Sequence, residues 1–354
     1  MKYYPSRWSW ERKTPNESGF DPDEIEKAVE WAKAHETEFP VNLAHHIRGN
    51  NNNKTWDDGE VLGPTKPRAG PNGFIIKNGY IVAEWGDTKR VDMTFSVSKS
   101  YLSTCAGLAL DRGLIKDIHD PVHKYVTTGE FDSPHNRKIT WHHMLQQTNE
   151  WDGSLWGKNY RAAPPEGTAR DPEEPGTVYE YNDTRVNATA LALLHVWRKP
   201  LPQVLKKHIM DPMEASSTWR WNGYRNSWIE LDGVKVQSVS GGGHWGGGMW
   251  INSYDQARFG LLWLNKGRWG ENQLLSEEYI KMATSNGDVN PVYGYMWWMN
   301  PERWSSGPET CYSGIGAGGN YVWCDPEHDI LLITRWIDHN EIDGMIKHIM
   351  NAIS

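Results

Sequence analysis

The chain of 354 residues carries 37 Lys and Arg against 45 Asp and Glu, a net charge of −8, and no stretch gathers basic side chains into a stripe able to neutralise phosphates, which excludes nucleic acid as a partner class. Its 38% hydrophobic and 23% charged residues are those of a globular protein large enough for two lobes, and 21 Trp against 6 Phe point to aromatic walls as well as core filling. The first residues lack the apolar core of a signal peptide and runs such as Ala190 to Leu194 are too short to span a bilayer, so a cytoplasmic protein without membrane contact is expected, a mature exported chain reading the same way.

The first helical periodicity runs from Pro22 to His35, with Ile25, Ala28, Val29 and Ala32 on one face after Asp21 as N-cap. A polar Gly/Pro/Asn-rich stretch from Arg48 to Pro71, with the Asn50 to Asn53 run, reads as a loop or cover segment. Phe74-Ile75-Ile76 and Tyr80-Ile81-Val82 flank Asn78-Gly79, the turn dipeptide of a β-hairpin. From Ser96 to about Arg112 apolar residues return to helical spacing, ending at Gly113. Between Asp117 and Trp228 strand-like runs are few, which predicts a mostly helical lobe. Ser253 opens a further helix to about Asn265 through a capping box. Tyr293 to Met299, Cys311 to Ile315, Asn320 to Cys324 and Ile330 to Trp336 read as strands, and Glu341 to Ile353 as a closing helix. Early and late strands are expected to share one antiparallel sheet, giving an α/β (α+β) architecture. In it, residues 1–95 and 235–354 form a sheet lobe and residues 96–234 a helical lobe.

Cys105, Cys311 and Cys324 show no CxxC spacing and read as buried, reduced thiols, although Cys311 and Cys324 could face each other across a hairpin near Ala317 and Gly318. No His-Glu-x-x-His is present; His45-His46 and His142-His143 are adjacent pairs pointing apart, so no metal is expected. Gly-x-Ser-x-Gly is missing, which removes the α/β-hydrolase nucleophile turn. Gly241 to Gly246 formally satisfies G-x-G-x-x-G, yet no helix start follows. Its glycines instead let backbone approach a cleft, with His244 and Trp245 as candidate substrate contacts. Trp151, Trp156 and Trp250 are further aromatic candidates, with core packing the simpler role for each.

The chemistry-bearing pattern is Ser96-Val97-Ser98-Lys99. Three residues apart at a helix start, hydroxyl and amine fall on one face, so a lysine whose pKa is lowered by desolvation or a nearby cation can take the serine's proton, and the helix N-terminal amides can donate to an oxyanion. Alone, the spacing is also that of a solvated helix start. The Pro175-Gly176-Thr177-Val178-Tyr179-Glu180-Tyr181-Asn182-Asp183 run supplies a second wall for the same cleft.

With these residues the chain resembles the β-lactamase-related serine hydrolases: class C β-lactamases, D,D-peptidases and the family VIII-type esterases and amidases of the same fold. Gly113 to Val122, Ile139 to Thr148, and Gly246 to Trp250 followed by Asp255 to Gly260 match family segments in order. The resemblance implies the transpeptidase-like fold, an antiparallel sheet flanked by helices plus a mostly helical lobe. It also implies acylation of Ser96, hydrogen bonding by Lys99, and acid–base work by Tyr181, matched to the Tyr of a Tyr-x-Asn motif whose Asn is Asp183 here. An ammonium beside a phenol favours its phenolate, whereas the extra carboxylate opposes it. The family's third motif is best matched by Tyr312-Ser313-Gly314, without a cation, and the Ile315 amide would be the second oxyanion donor. The missing cation argues against penicillins and for small ester substrates, short linear amides being the alternative. No cofactor is implied. A catalytically inactive binding protein that keeps the fold is the competing reading.

Overall fold

A computed structural model describes residues 2–49, 60–164, 168–300 and 303–353. The Asn50 to Asn53 run lies outside the described residues.

Six antiparallel strands form the main sheet, in the order Trp298–Met299, Tyr312–Gly316, Asn320–Asp325, Ile330–Arg335, Asn72–Lys77 and Tyr80–Trp85. The early hairpin turns at Asn78 and Gly79, whose φ values of 54° and 87° are the left-handed pair such a two-residue turn requires. Register Ile75↔Leu332 and Phe74↔Ile333 sends alternate side chains to opposite faces. On one face Ile75, Tyr321, Trp323 and Leu332 meet Ile25 and Ala28 of the Pro22–Ala34 helix and Met345 and Ile349 of the Ile342–Asn351 helix. On the other, Phe74, Val322, Cys324, Leu331 and Ile333 join the larger core with the Val97–Asp111 and Ser253–Leu264 helices. Helices on both faces explain why the central strands read as continuous apolar runs.

A second sheet, in the order Asp92–Met93, Gly248–Ile251, Arg220–Leu231 and Val234–Val239, stands beside it. The long hairpin of Arg220–Leu231 and Val234–Val239 begins inside the stretch expected to be mostly helical. Arg225, Asn226 and Trp228 are exposed, so polar positions interrupt the apolar alternation that would mark a strand. Fully buried Arg335 joins the two sheets, donating to Met93 O (2.6 Å), Ile251 O (2.7 Å) and Asn320 Oδ1 (3.1 Å). Trp336 Nε1 adds a bond to Asp92 Oδ2 at 3.1 Å. These bonds fix the chain one residue ahead of the Thr94-Phe95-Ser96 corner.

Other expectations shift in detail. The Ser253–Leu264 helix is capped by Asn252, whose Oδ1 accepts from Asp255 N at 2.8 Å, rather than by Ser253. Of Tyr293 to Met299 only Trp298–Met299 is strand, because Met296 sits at φ 60° and breaks the extended path. Cys105, Cys311 and Cys324 are free and buried; Tyr312, not Cys311, is the residue opposite Cys324, so the thiols of 311 and 324 face different cores. Among the described residues no helix is long and apolar enough to cross a membrane.

Candidate active site

Ser96 closes a sharp corner. Thr94 N and Oγ1 both donate to Met249 O at 3.0 Å, Phe95 is driven to φ 48°, and Ser96 (φ −68°, ψ −7°) caps the Val97–Asp111 helix. Positive φ at a bulky residue persists only where surroundings hold it. Here Ser98 Oγ donates to Phe95 O (2.6 Å) and accepts from Met249 N (2.8 Å), clamping the corner to the Gly248–Ile251 strand. Helical spacing then brings Lys99 beneath Ser96, with Nζ 2.8 Å from Ser96 Oγ.

Lys99 Nζ lies equally near Asp183 Oδ1, at 2.8 Å, with the lysine 1% and the aspartate 6% exposed. The Tyr181 ring lies over the same ammonium, 4.4 Å to its centroid. Burial by itself would push Lys99 down, but the Asp183 carboxylate and the Tyr181 phenol outweigh it and hold the amine above its ordinary value. Burial would likewise push Asp183 up, and attraction to Lys99 and then His244 brings it below the usual carboxylate range. Both shifts favour the charged forms, an ammonium facing a carboxylate, and Lys99 Nζ donates to both Ser96 Oγ and Asp183 Oδ1.

The segment carrying Tyr181 is built on Gln147, a residue at φ 55° just past the Trp141–Gln146 helix. Gln147 O accepts from Glu180 N (3.0 Å), its Oε1 from Asn182 N (2.9 Å), and its Nε2 donates to the Tyr293 hydroxyl (2.7 Å). Asn182 caps the Asp183–Trp197 helix through Arg185 N (3.2 Å) and ties back to Tyr160 O (2.7 Å). Buried Glu150, 2.7 Å from Arg185 and 2.6 Å from Arg170, anchors the base of the segment. Although burial alone would raise Glu150, its two arginines hold it below the usual range. Tyr181 itself stacks on Trp298 (5.5 Å, 29°) and meets Tyr293 edge-on (5.8 Å, 87°).

Two glycines admit this arrangement. A Cβ at Gly242 would collide with Asp183 Oδ1 and Lys99 Nζ. One at Gly316 would run into Thr94 O and lie 3.3 Å from Ser96 N. The end of the Tyr312–Gly316 strand therefore lies against the Ser96 amide, and Ala317, the next residue, lines a cavity of about 920 Å³ that also contains Ser96, Tyr181, Asp183 and His244.

Sequence reasoning placed some residues elsewhere. Tyr312 points into the large core beside Trp297 and Cys324, and Gly314 faces Ser100. Ser313 bonds its neighbour's carbonyl, and Ile315 packs among the terminal helices. None of the four lines the cavity; strand alternation turns Gly316 toward Thr94 and the Ser96 amide, and Ala317 is the residue of this strand end that lines the cavity. Trp245 is buried against Tyr224 and Leu62, while Gly242 and His244 of that loop line the cavity. Trp151 is core, and Trp156 and Trp250 are half-buried at its edge. His45 and His46, expected at the surface or in packing, both line the cavity, His46 stacked on Phe39 at 3.6 Å. Gln147, Gly316 and Ala317 were not singled out; only the glycine-rich spelling around 314–319 hinted at close backbone approach.

The sequence profile of the beta-lactamase family matches residues 78–334. No curated protein matches the chain in sequence. Solved structures of similar fold include a putative beta-lactamase from Bacteroides dorei DSM 17855, at 15% identity and TM-score 0.61 over 80% of this chain and 93% of that one. A family VIII carboxylesterase is similar at 15% identity and TM-score 0.60, over 94% and 98%. A putative 6-aminohexanoate-dimer hydrolase from Bacillus anthracis is similar at 16% identity and TM-score 0.57, over 82% and 79%. On a profile match that spans most of its length, the chain belongs to the beta-lactamase family of serine hydrolases.

Proposed function

We propose that the chain cleaves small carboxylic esters through a covalent acyl-enzyme on Ser96. The observation that carries this reading is the single ammonium of Lys99 held 2.8 Å from both Ser96 Oγ and Asp183 Oδ1 beneath the Tyr181 ring, at the floor of an open cavity. With Lys99 charged, Tyr181 is the group that takes the Ser96 proton as Oγ attacks the ester carbonyl. The oxyanion of the tetrahedral intermediate sits between the Ser96 amide and the backbone at Ala317. Collapse breaks the bond to the alcohol oxygen, which receives the proton from Tyr181 and leaves acyl-Ser96. Water then gives a proton to Tyr181 and attacks the acyl carbon; the proton passes to Ser96 Oγ as the acid departs.

The cavity favours an uncharged or cationic substrate. Among the described residues its lining includes Glu38, Asp338 and four histidines but no Lys or Arg to hold a carboxylate. Short-chain nitrophenyl esters, a matching nitroanilide and nitrocefin, compared at equal concentration, test the reading. Ester turnover well above the other two, abolished in Ser96→Ala, supports it; preferred nitroanilide cleavage assigns an amidase, and turnover retained in Ser96→Ala overturns the mechanism.

A further inference from the structure

Asp183 poses an electrostatic problem. An amide at this position would leave Lys99 as one net positive charge beside Tyr181, whereas the carboxylate cancels it. Negative charge on the Tyr181 oxygen, which the proposed reaction requires, then has no net counter-charge from the pair.

His244 lies on the far side of that carboxylate. Its Nδ1 is 3.6 Å from Asp183 Oδ2, the oxygen not engaged by Lys99. The imidazole lines the cavity that contains Ser96 and Tyr181, is half-buried, and is braced edge-on by Trp245 at 4.5 Å. Its loop reaches this place because Gly242 passes against Asp183 and Lys99 without a side chain and Gly243 turns at φ 71°.

The charged and titratable groups around it come from several elements. Lys99 comes from the Val97–Asp111 helix, Asp183 from the Asp183–Trp197 helix and Tyr181 from the residues before that helix. Tyr224 lies on the Arg220–Leu231 strand, Lys158 stands over the Trp245 ring at 5.5 Å, and His46 comes from the Leu43–Arg48 helix. Burial, and then His244, push His46 down to about 4, so it is neutral near pH 7 and adds no charge. Of His46 and His244, it is His244 that faces the Asp183 carboxylate; His339 and Asp338 also line the cavity.

We propose that His244 is a positioning residue that offsets Asp183: as an imidazolium it restores one net positive charge to a centre in which Lys99 and Asp183 cancel, and so stabilises negative charge on the Tyr181 oxygen. The inference rests on the reading above, in which Tyr181 carries the proton. It gives the departure at Asp183 a compensating partner on a different loop and makes turnover depend on the protonation of that imidazole.

The test is a double-mutant cycle on the full chain with a nitrophenyl ester, following kcat and KM from pH 5 to 9. Loss of one unit charge from the cavity that also contains the phenol, taken at about 10 Å and an effective dielectric of about 20, corresponds to a drop in kcat of roughly tenfold. His244→Asn is expected to show that drop with little change in KM. Asp183→Asn is expected to remove the alkaline limb that His244 deprotonation gives the wild type, and the double variant to recover most of the activity lost in His244→Asn. A His244→Asn enzyme with wild-type kcat, or a double variant no better than it, overturns the inference. Should His244→Asn fail to fold by thermal melting, Asp183→Asn decides alone, because an unchanged alkaline limb rules the idea out. Ser96→Ala separates the two claims: if it is inactive while the cycle is additive, the role of His244 falls and the acyl-enzyme reading stands.

Discussion

Replacing Lys99 by Met keeps the length of the side chain and removes the cation from the middle of the site. At 2.8 Å the attraction to Asp183 is about 6 kcal/mol for an effective dielectric of about 20. Part of that offsets desolvation in the native protein. Removing one partner of a buried pair leaves the other charge uncompensated and costs about 3–5 kcal/mol. The pH dependence has a definite sign. In the wild type Asp183 is held low, so its contribution is present above the unfolded carboxylate value near 3.9 and is lost as pH falls through the folded value. Lys99 is held high, so its contribution is present below about 10.4 and is lost as pH rises through its folded value. In Lys99→Met burial of Asp183 is opposed only by His244, and the variant loses stability as pH rises above about 4. Urea unfolding at pH 4.5 and pH 7 measures this. The expected deficit against wild type is largest at pH 7, smaller at pH 4.5, and mostly removed in Lys99→Met/Asp183→Asn. A variant within about 1 kcal/mol of wild type at both pH values would refute the buried ion pair.

Gly316→Ala is expected to push the strand end away from Thr94 and the Ser96 amide, lowering kcat by about 10²–10³ with the fold retained by circular dichroism. Arg335→Leu leaves Met93 O and Ile251 O without their donor and is expected to lower unfolding free energy by about 3 kcal/mol or more, read as a fall in melting temperature. Glu150→Gln removes a carboxylate held low by burial-opposing arginines. Its contribution is present above the unfolded value near 4.3 and lost as pH falls through the folded one, so the variant is expected to be destabilised at pH 7 and to lose less stability than wild type on acidification.

Much of the architecture was legible because its signals are local. Asn78-Gly79 dictates a two-residue turn, and continuous runs such as Ile330 to Ile333 suit strands covered on both sides. The Arg220–Leu231 strand was missed because half its side chains face solvent and its register slips between Gly223 and Trp228. Asp232-Gly233, at φ 55° and 75°, is the two-residue turn that closes this hairpin and its one local signal. At the site, Ser96 and Lys99 are linked by helix geometry alone. Tyr181 and Asp183 needed the resemblance, because nothing local specifies which distant loop closes on a helix start. That Ala317 rather than Ile315 lines the cavity has the same origin. Alternation tells which face each residue of 312–316 takes, but the point where the strand crosses the Ser96 corner is set by packing of Gly316 on Thr94. His46, on the short Leu43–Arg48 helix and stacked on Phe39, and His244, on a glycine-rich loop and braced by Trp245, meet the cavity through contacts that have no sequence period.

The central claim is that Ser96 is a nucleophile activated in place. Intact-mass measurement after exposure to a fluorophosphonate, followed by peptide mapping, tests it most directly. A single adduct on Ser96 in the wild type, with none in Ser96→Ala, is the expected result; an unlabelled wild-type chain, or an adduct on a different residue, would contradict it.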